Sequence, residues 1–189
     1  CLKYLSLNKM LKENQFDILV ICTPNGLHFK QAKLALEHNV NVIVEKPLSL
    51  SSLQCTILKN EFKKKKLFIF VVMQNRFNPT ISFLKKIKDK NYLGKINFVI
   101  INVLWNRPQS YFSQDKWRGT KKYDGGVMIN QAIHYIDILR WLFGPIEEVF
   151  CYMSNRINKL EAEDTAVATL KFKNGSLGTI EATTAARPF

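Results

Sequence analysis

Three short, uninterrupted apolar runs, separated by helix-length segments, constrain this chain more than any other feature. They are Asp17-Ile-Leu-Val-Ile-Cys22, Asn41-Val-Ile-Val44 and Leu67-Phe-Ile-Phe-Val-Val72. Runs of this length without polar alternation predict strands buried on both faces, as in a parallel sheet. Between them, residues 26–38 offer Leu27, Ala32, Leu34, Ala35 and Leu36 for the inner side of a helix. Ser51 stands at the N-cap of a second helix reaching about residue 65. Residues 2–14 carry an earlier helical rhythm. Strands alternating with helices in this way imply right-handed crossovers. Residues 1–75 are therefore expected to be part of a dinucleotide-binding domain of doubly wound α/β type. No Gly-rich turn precedes the first strand, and the chain opens at Cys1 rather than Met. The phosphate-gripping first β-α-β unit is expected to lie upstream.

Beyond Pro79 the pattern changes. Residues 80–90 read as a lysine-rich amphipathic helix, and residues 95–105 alternate as a half-buried strand does. Residues 106–124 form a polar, aromatic-rich loop. Residues 125–143 read as one helix stopped by Gly144-Pro145. A strand over 146–154 comes next, and strands over 164–172 and 176–182 flank Asn174-Gly175, a strong hairpin signal. Residues 76–189 are thus expected to be an α+β domain with a mainly antiparallel sheet, continuing past residue 189. Its role would be substrate binding and oligomerisation.

Composition narrows the function classes. Hydrophobic residues make up 47% of the 189 and aromatics 12%, enough for packed cores and against disorder. No apolar run approaches the roughly 18 residues of a membrane span, and no signal peptide is visible. The formal net charge is +13. Much of the excess lies in Lys59–Lys66 and Lys85–Lys90, which read as solvated helix faces rather than a nucleic-acid surface. Such a field suits the approach of an anionic cofactor or nucleotide-sugar. The cysteines, Cys1, Cys22, Cys55 and Cys151, form no CxxC pair. Free thiols in a reducing, cytoplasmic setting are expected, with no zinc site or other metal centre.

Three segments carry chemistry. Thr23-Pro24-Asn25 ends the first buried strand, where open α/β sheets bind ligands; its hydroxyl and amide suit a dinucleotide, although turn chemistry alone also explains Pro and Asn. His28 opens the next helix beside it. Glu45-Lys46-Pro47 succeeds the second strand. A charged pair there needs pairing or a task, and a partly desolvated Lys is suited to proton transfer. A cis Lys46–Pro47 bond is compatible with such a turn. Third, Asn130, His134 and Asp137 fall at i, i+4 and i+7, on one face of the expected 125–143 helix. Gly125 and Gly126 precede them and allow close approach by a ligand or by backbone.

Taken in order and spacing, these segments resemble the Gfo/Idh/MocA oxidoreductases. That family shows a Thr/Ser-Pro-Asn-type loop, Glu-Lys-Pro about twenty residues on, and then a Gly-Gly-rich helix with an acidic residue four positions before a His. This chain departs from it at Asn130, which replaces the acid, and at Ala132, which replaces a glycine. Further likeness in residues 72–79, 105–111, 117–120 and 130–134 is to the branch that oxidises UDP-N-acetylglucosaminuronate at its 3-hydroxyl, the WlbA/WbpB-type dehydrogenases. The resemblance implies NAD, with NADP open, held by Thr23, Pro24, Asn25, His28, Glu45 and Lys46, and by Asn75, Arg76, Trp117 and Arg118. It implies a sugar or nucleotide-sugar met by Lys46, Trp105, Arg107 and Tyr111, and by Asn130, Gln131 and His134. Lys46 and His134 would be the proton-transfer pair at the oxidised hydroxyl, one as base or relay and the other polarising the oxygen, while Asn130 orients the substrate or His134. A homo-oligomer through the antiparallel sheet is implied as well. Other readings are a different sugar, inositol or dihydrodiol dehydrogenase of the family, or a non-catalytic relative.

Overall fold

The computed structural model describes residues 2–187; Cys1, Pro188 and Phe189 lie outside them. The chain divides into two units, Cys1–Val72 and Met73–Phe189. The division falls three residues before the expected boundary. The turn Gln74–Phe77 belongs with the second unit because Arg76 pairs with Asp137, donating from Nε at 2.6 Å and from Nη2 at 2.5 Å.

The first unit holds α1 (Leu7–Glu13), β1 (Ile18–Ile21), α2 (His28–Glu37), β2 (Asn41–Val44), α3 (Ser52–Lys64) and β3 (Ile69–Val71). All strands are parallel, in the order β1-β2-β3. Helix α1 starts later than the apolar rhythm suggested. Ser6 caps it, accepting from Lys9 N–H at 3.4 Å, so Leu2 and Leu5 stay outside and exposed. Ser51 does occupy the cap position of α3, but its hydroxyl makes no cap bond. Ser49 Oγ instead accepts from Ser51 N–H and donates to Gln54. Ala32, Ala35, Leu36, Val42, Val44, Leu58 and Phe62 form the core between sheet and helices.

The described residues cover one side of this sheet. The sheet is buried on one face only: Ile18, Val20, Phe68 and Phe70 are all more than half exposed. Continuous apolar runs told correctly of a parallel sheet, but the helices between them cover a single side.

The second unit holds α4 (Pro79–Asp89), β4 (Phe98–Leu104), α5 (Gln109–Ser113), α6 (Ile133–Phe143), β5 (Ile146–Ser154), β6 (Thr165–Phe172) and β7 (Leu177–Thr183). Its sheet runs β4-β7-β6-β5. β5–β6 and β6–β7 are antiparallel, the latter across the Asn174-Gly175 turn with Gly175 at φ +83°. β4 runs parallel to β7, so the sheet is mixed. Ala166, Ala168, Leu170, Phe172, Ile180 and Ala182 point inward and pack with Leu139 of α6. Small residues on three of those positions leave room for the helix. The loop 106–124 contains the short α5, which the polar composition hid.

Residues 125–143 do not form one helix. Val127–Gln131 make a π-type turn, closed by Ala132 N–H on Val127 C=O at 2.8 Å, and α6 starts afterwards. An i→i+5 turn holds an extra residue, which rotates Asn130 out of α6 register. The expected polar stripe is thereby divided. Asn130 donates to Asp124, whereas Asp137 accepts from Arg76.

Candidate active site

In the first unit the candidate groups gather at the carboxyl ends of β1 and β2. The parallel ladder runs on to Glu45, whose N–H donates to Ile21 C=O at 2.9 Å, so the two strand-end loops start side by side. After β1, Leu27 N–H bonds back to Pro24 C=O at 2.9 Å and forms a 3₁₀ turn over Asn25–Leu27. Asn25 is buried, and Thr23 Oγ1 donates to Gln31 Oε1 at 2.6 Å. After β2 come half-buried Glu45 and Lys46, and the Lys46–Pro47 peptide is cis.

His28 ties these loops together. It is fully buried, with Nδ1 2.7 Å from Pro47 C=O and Nε2 2.7 Å from Thr23 C=O. Both ring nitrogens are therefore engaged by backbone oxygens, one from each loop. Its position in the fold is that of a strut between the Thr23-Pro24-Asn25 loop and the Lys46 loop.

In the second unit, Asn130, Gln131 and His134 are all buried, at 6, 9 and 8% exposure, across the π turn and the first turn of α6. The double glycine before them serves the protein itself. Gly126 sits at φ +83°, and a Cβ there would run into the Glu163 carboxylate. Glu163 in turn accepts from Met128 N–H at 3.1 Å, and its own C=O accepts from Val127 N–H at 3.0 Å. A close approach was expected at these glycines; the neighbour is an acidic side chain capping the turn.

The aromatic and cationic residues of 105–118 form a stack. The Arg107 guanidinium lies 5.1 Å from the Trp105 ring centre and 4.9 Å from that of Tyr111. Arg118 covers Tyr111 at 4.6 Å and Trp117 at 4.9 Å. Rings and guanidinium planes thus alternate, an arrangement Arg favours and Lys cannot reproduce. Arg118 is further held by Asp115 at 2.8 Å and by Tyr111 Oη at 2.6 Å. Arg107 Nε is buried and has no hydrogen-bond partner among the described residues. Arg76, expected at the cofactor, is engaged by Asp137 and stacked over Trp141 at 5.3 Å; the hydrogen bonds it donates to Asp137 raise its already high pKa. Asn75 is half-buried in the same turn.

Sequence reasoning missed three acids. Asp124 links the 117–120 segment to Asn130, Glu163 caps the π turn, and Asp164 anchors the 156–158 loop. The visible signal was slight: an acid directly before the double glycine, and a Glu-Asp pair directly before an alternating strand.

Burial pushes the Cys55 thiol up, and burial plus the Glu163 charge does the same to Cys151. Cys22 is exposed, because it lies past the end of β1. Among the described residues no cluster of metal-ligand type occurs, and no helix is long and apolar enough to cross a membrane.

A parallel sheet with polar strand-end loops, joined in sequence to an α+β unit with a buried histidine on its helix, defines the class of two-domain, Rossmann-type oxidoreductases. Residues 2–73 match the profile of the oxidoreductase family with NAD-binding Rossmann fold, and residues 81–189 match the GFO/IDH/MocA C-terminal domain. The chain belongs to the Gfo/Idh/MocA family. Among solved structures it is similar to the WlbA dehydrogenase from Bordetella pertussis, in complex with NADH and UDP-GlcNAcA. Identity is 39%, with a TM-score of 0.94, over 97% of this chain and 57% of that one. A WlbA dehydrogenase from Chromobacterium violaceum, also with NADH and UDP-GlcNAcA, shares 38% with a TM-score of 0.95, over 98 and 54%. Among curated proteins, myo-inositol 2-dehydrogenase of Thermotoga maritima is 26% identical, over 92% of this chain and 52% of that protein. The chain spans about half the length of the curated relatives it matches.

Proposed function

We propose that the whole protein oxidises a secondary hydroxyl of a nucleotide-linked N-acetyl-hexuronate, at its 3-position, in the assembly of surface-polysaccharide sugars. The observation that carries this reading is the 38–39% identity to two WlbA dehydrogenases over nearly the entire chain. Levoglucosan and inositol dehydrogenases reach only 25–26%.

The donor set fits a dinucleotide. Thr23, Asn25 and the Lys46 ammonium stand at strand carboxyl ends, where such cofactors bind, and the chain's positive charge attracts phosphates. When bound, NAD supplies the acceptor for the hydride leaving the sugar carbon; NADP would serve equally. This chain's own residues do the rest. Lys46 and His134 take up and relay the hydroxyl proton, leaving a ketone, and the imidazole polarises the oxygen. Asn130 and Gln131 hydrogen-bond the sugar. Arg107 offers its fork to the carboxylate or diphosphate, while Trp105, Tyr111 and Trp117 wall the ligand. Glu45, Asn75, Arg76 and Arg118 complete the cofactor side, Arg76 through its hold on α6.

A second copy of the chain is proposed to cover the outer sheet face. Phe98, Ile100 and Leu104 of β4, Phe150 and Tyr152 of β5 and Leu177 of β7 are all more than half exposed there. Contiguous apolar surface of this kind marks association, and light scattering on the full chain reads it. Dependence on the cell's nicotinamide pool argues for a cytoplasmic setting.

The decisive experiment is Lys46→Ala in the full chain, with NADH absorbance then measured over a panel of UDP-sugars. A loss of at least a hundredfold in kcat on the best substrate is expected. Turnover within tenfold of the parent removes Lys46 from proton transfer, and a preference for an uncharged sugar removes the hexuronate.

A further inference from the structure

The π turn at Val127–Gln131 has no cap of its own. Its leading residue, Gly126, carries no side chain to accept from the N–H groups that every helix start leaves open. The cap comes from half-buried Glu163, beyond β5 in the chain. Its C=O accepts from Val127 N–H at 3.0 Å, and its carboxylate Oε1 accepts from Met128 N–H at 3.1 Å. Gly126 leaves free the space in which that carboxylate lies.

Glu163 stands on a fixed platform. The next residue, Asp164, donates its N–H to Ser154 C=O at 3.3 Å, and its C=O accepts from Thr184 N–H at 2.8 Å, which ties the main chain to the ends of β5 and β7. The sheet thus sets where Glu163 stands, and Glu163 sets where the turn begins.

The register of that turn decides which way its side chains point. Ala132 N–H reaches back to Val127 C=O, whereas a continuous α-helix would close on the same oxygen from Gln131 N–H. Each residue turns an α-helix by about 100°. Closing the turn as α-helix would therefore rotate Asn130 and Gln131 by about that angle relative to His134. A π turn is a rare alternative to the continuous helix, and two bonds from Glu163 secure its leading end.

We infer that Glu163 is a positioning residue: its side chain holds Val127–Gln131 in the π register and so sets the direction in which Asn130 and Gln131 meet the sugar. This rests on the functional reading above, in which those two amides face the substrate. Glu163 acts through the turn, as an acceptor for Met128 N–H, and takes no part in proton transfer.

The role asks for length and an accepting oxygen rather than for charge, and substitutions in the full chain separate these. Glu163→Gln keeps both length and acceptor. Glu163→Asp keeps the charge but falls one methylene short of Met128, and Glu163→Ala removes the acceptor. With UDP-GlcNAcA and NAD, the Ala and Asp variants are expected to lose tenfold or more in kcat, with KM for the nicotinamide within twofold of the parent. Glu163→Gln is expected to keep kcat within threefold. A residue that merely held the fold together would not separate Gln from Asp in this way. Independently of turnover, the Met128 backbone amide followed by NMR should exchange with solvent slowly in the parent and in Glu163→Gln, and at least tenfold faster in Glu163→Asp. An Ala or Asp variant with kcat within threefold of the parent, a Gln variant as damaged as the Asp variant, or an unprotected Met128 amide in the parent overturns the inference. Should Glu163→Ala fail to fold, the comparison of Gln with Asp still decides. If the parent oxidises no sugar at all, the functional reading has failed, and the Met128 exchange rates then decide the hold on the turn alone.

Discussion

Replacing Asp164 by Ala should unfold the second unit at markedly lower denaturant. This side chain has no exposed surface, and its carboxylate accepts from the backbone N–H groups of Arg156 at 2.8 Å and of Ile157 and Asn158 at 3.0 Å each. Thr165 Oγ1 donates to it at 2.9 Å. Hydrogen bonds to a charged acceptor contribute about 1.5–3 kcal/mol each, and a buried donor left alone costs about 1–3 kcal/mol. The sites differ, however. Arg156 and Ile157 are exposed, so water replaces the acid there, and the Thr165 hydroxyl can turn to Thr183 Oγ1 at 2.9 Å. Asn158 is 4% exposed and keeps an unmatched N–H. The net loss is then about 3 kcal/mol, which for a chain of this length lowers Tm by roughly 6–12 °C. Trp105, Trp117 and Trp141 all belong to the second unit, so tryptophan fluorescence in a urea titration reports that unit alone. The gap should also depend on pH. Burial raises the carboxyl pKa, but the three backbone N–H groups and Thr165 outweigh it and hold the acid below its usual range. A depressed folded pKa means the stabilisation is complete above the unfolded value of about 4 and fades as pH falls through the folded one. A loss under about 1 kcal/mol at pH 7, or a gap that widens in acid, would refute this reasoning.

His28→Phe removes the strut between two loops without emptying the site. A rise in KM for nicotinamide of fivefold or more is expected, with far-ultraviolet circular dichroism unchanged; an unaltered KM would show that the loops hold themselves. Gly126→Ala should cost about 2 kcal/mol, from a left-handed backbone and the Glu163 carboxylate in the way of its Cβ. Adding Glu163→Ala should recover only the steric part, measurable by urea titration. Arg107→Met should raise KM for a UDP-hexuronate about tenfold more than for the matching neutral UDP-sugar. Arg118→Met should discriminate less, because Asp115 already meets its charge.

How far the fold could be read from the chain depended on whether its cause was local. The strands at 41–44 and 146–154 were legible to the residue, since run length and β-branched content are properties of the segment. The Asn174-Gly175 hairpin was legible because a left-handed turn selects its residues. The parallel pairing of β4 with β7 was not, because Phe98 meets Leu177 only after nearly eighty intervening residues have folded. The π turn at Val127–Gln131 shares the apolar rhythm of an α-helix, so only the hydrogen bond to Val127 C=O reveals it. Of the candidate site, Lys46 and His134 stood out through their setting after a strand and on an apolar helix. Asp124 and Asp164 did not, because an acid that serves backbone N–H groups looks in sequence like any surface acid.

Those hidden acids bear on the charge of the molecule as well. The chain has 28 Lys and Arg against 15 Asp and Glu. Asp124 and Asp164 are buried as acceptors for N–H groups, and Glu163 is half-buried beside Gly126. A buried carboxylate still counts in the net charge, so the positive outward field comes from the surplus of basic side chains. The same three residues fix the segments that bear Arg118, Asn130 and, through Asn158 Nδ2 donating to its C=O at 3.2 Å, Arg107. One set of buried acids therefore sets the short-range geometry of the candidate site, while the excess of Lys and Arg supplies the long-range attraction for an anionic ligand.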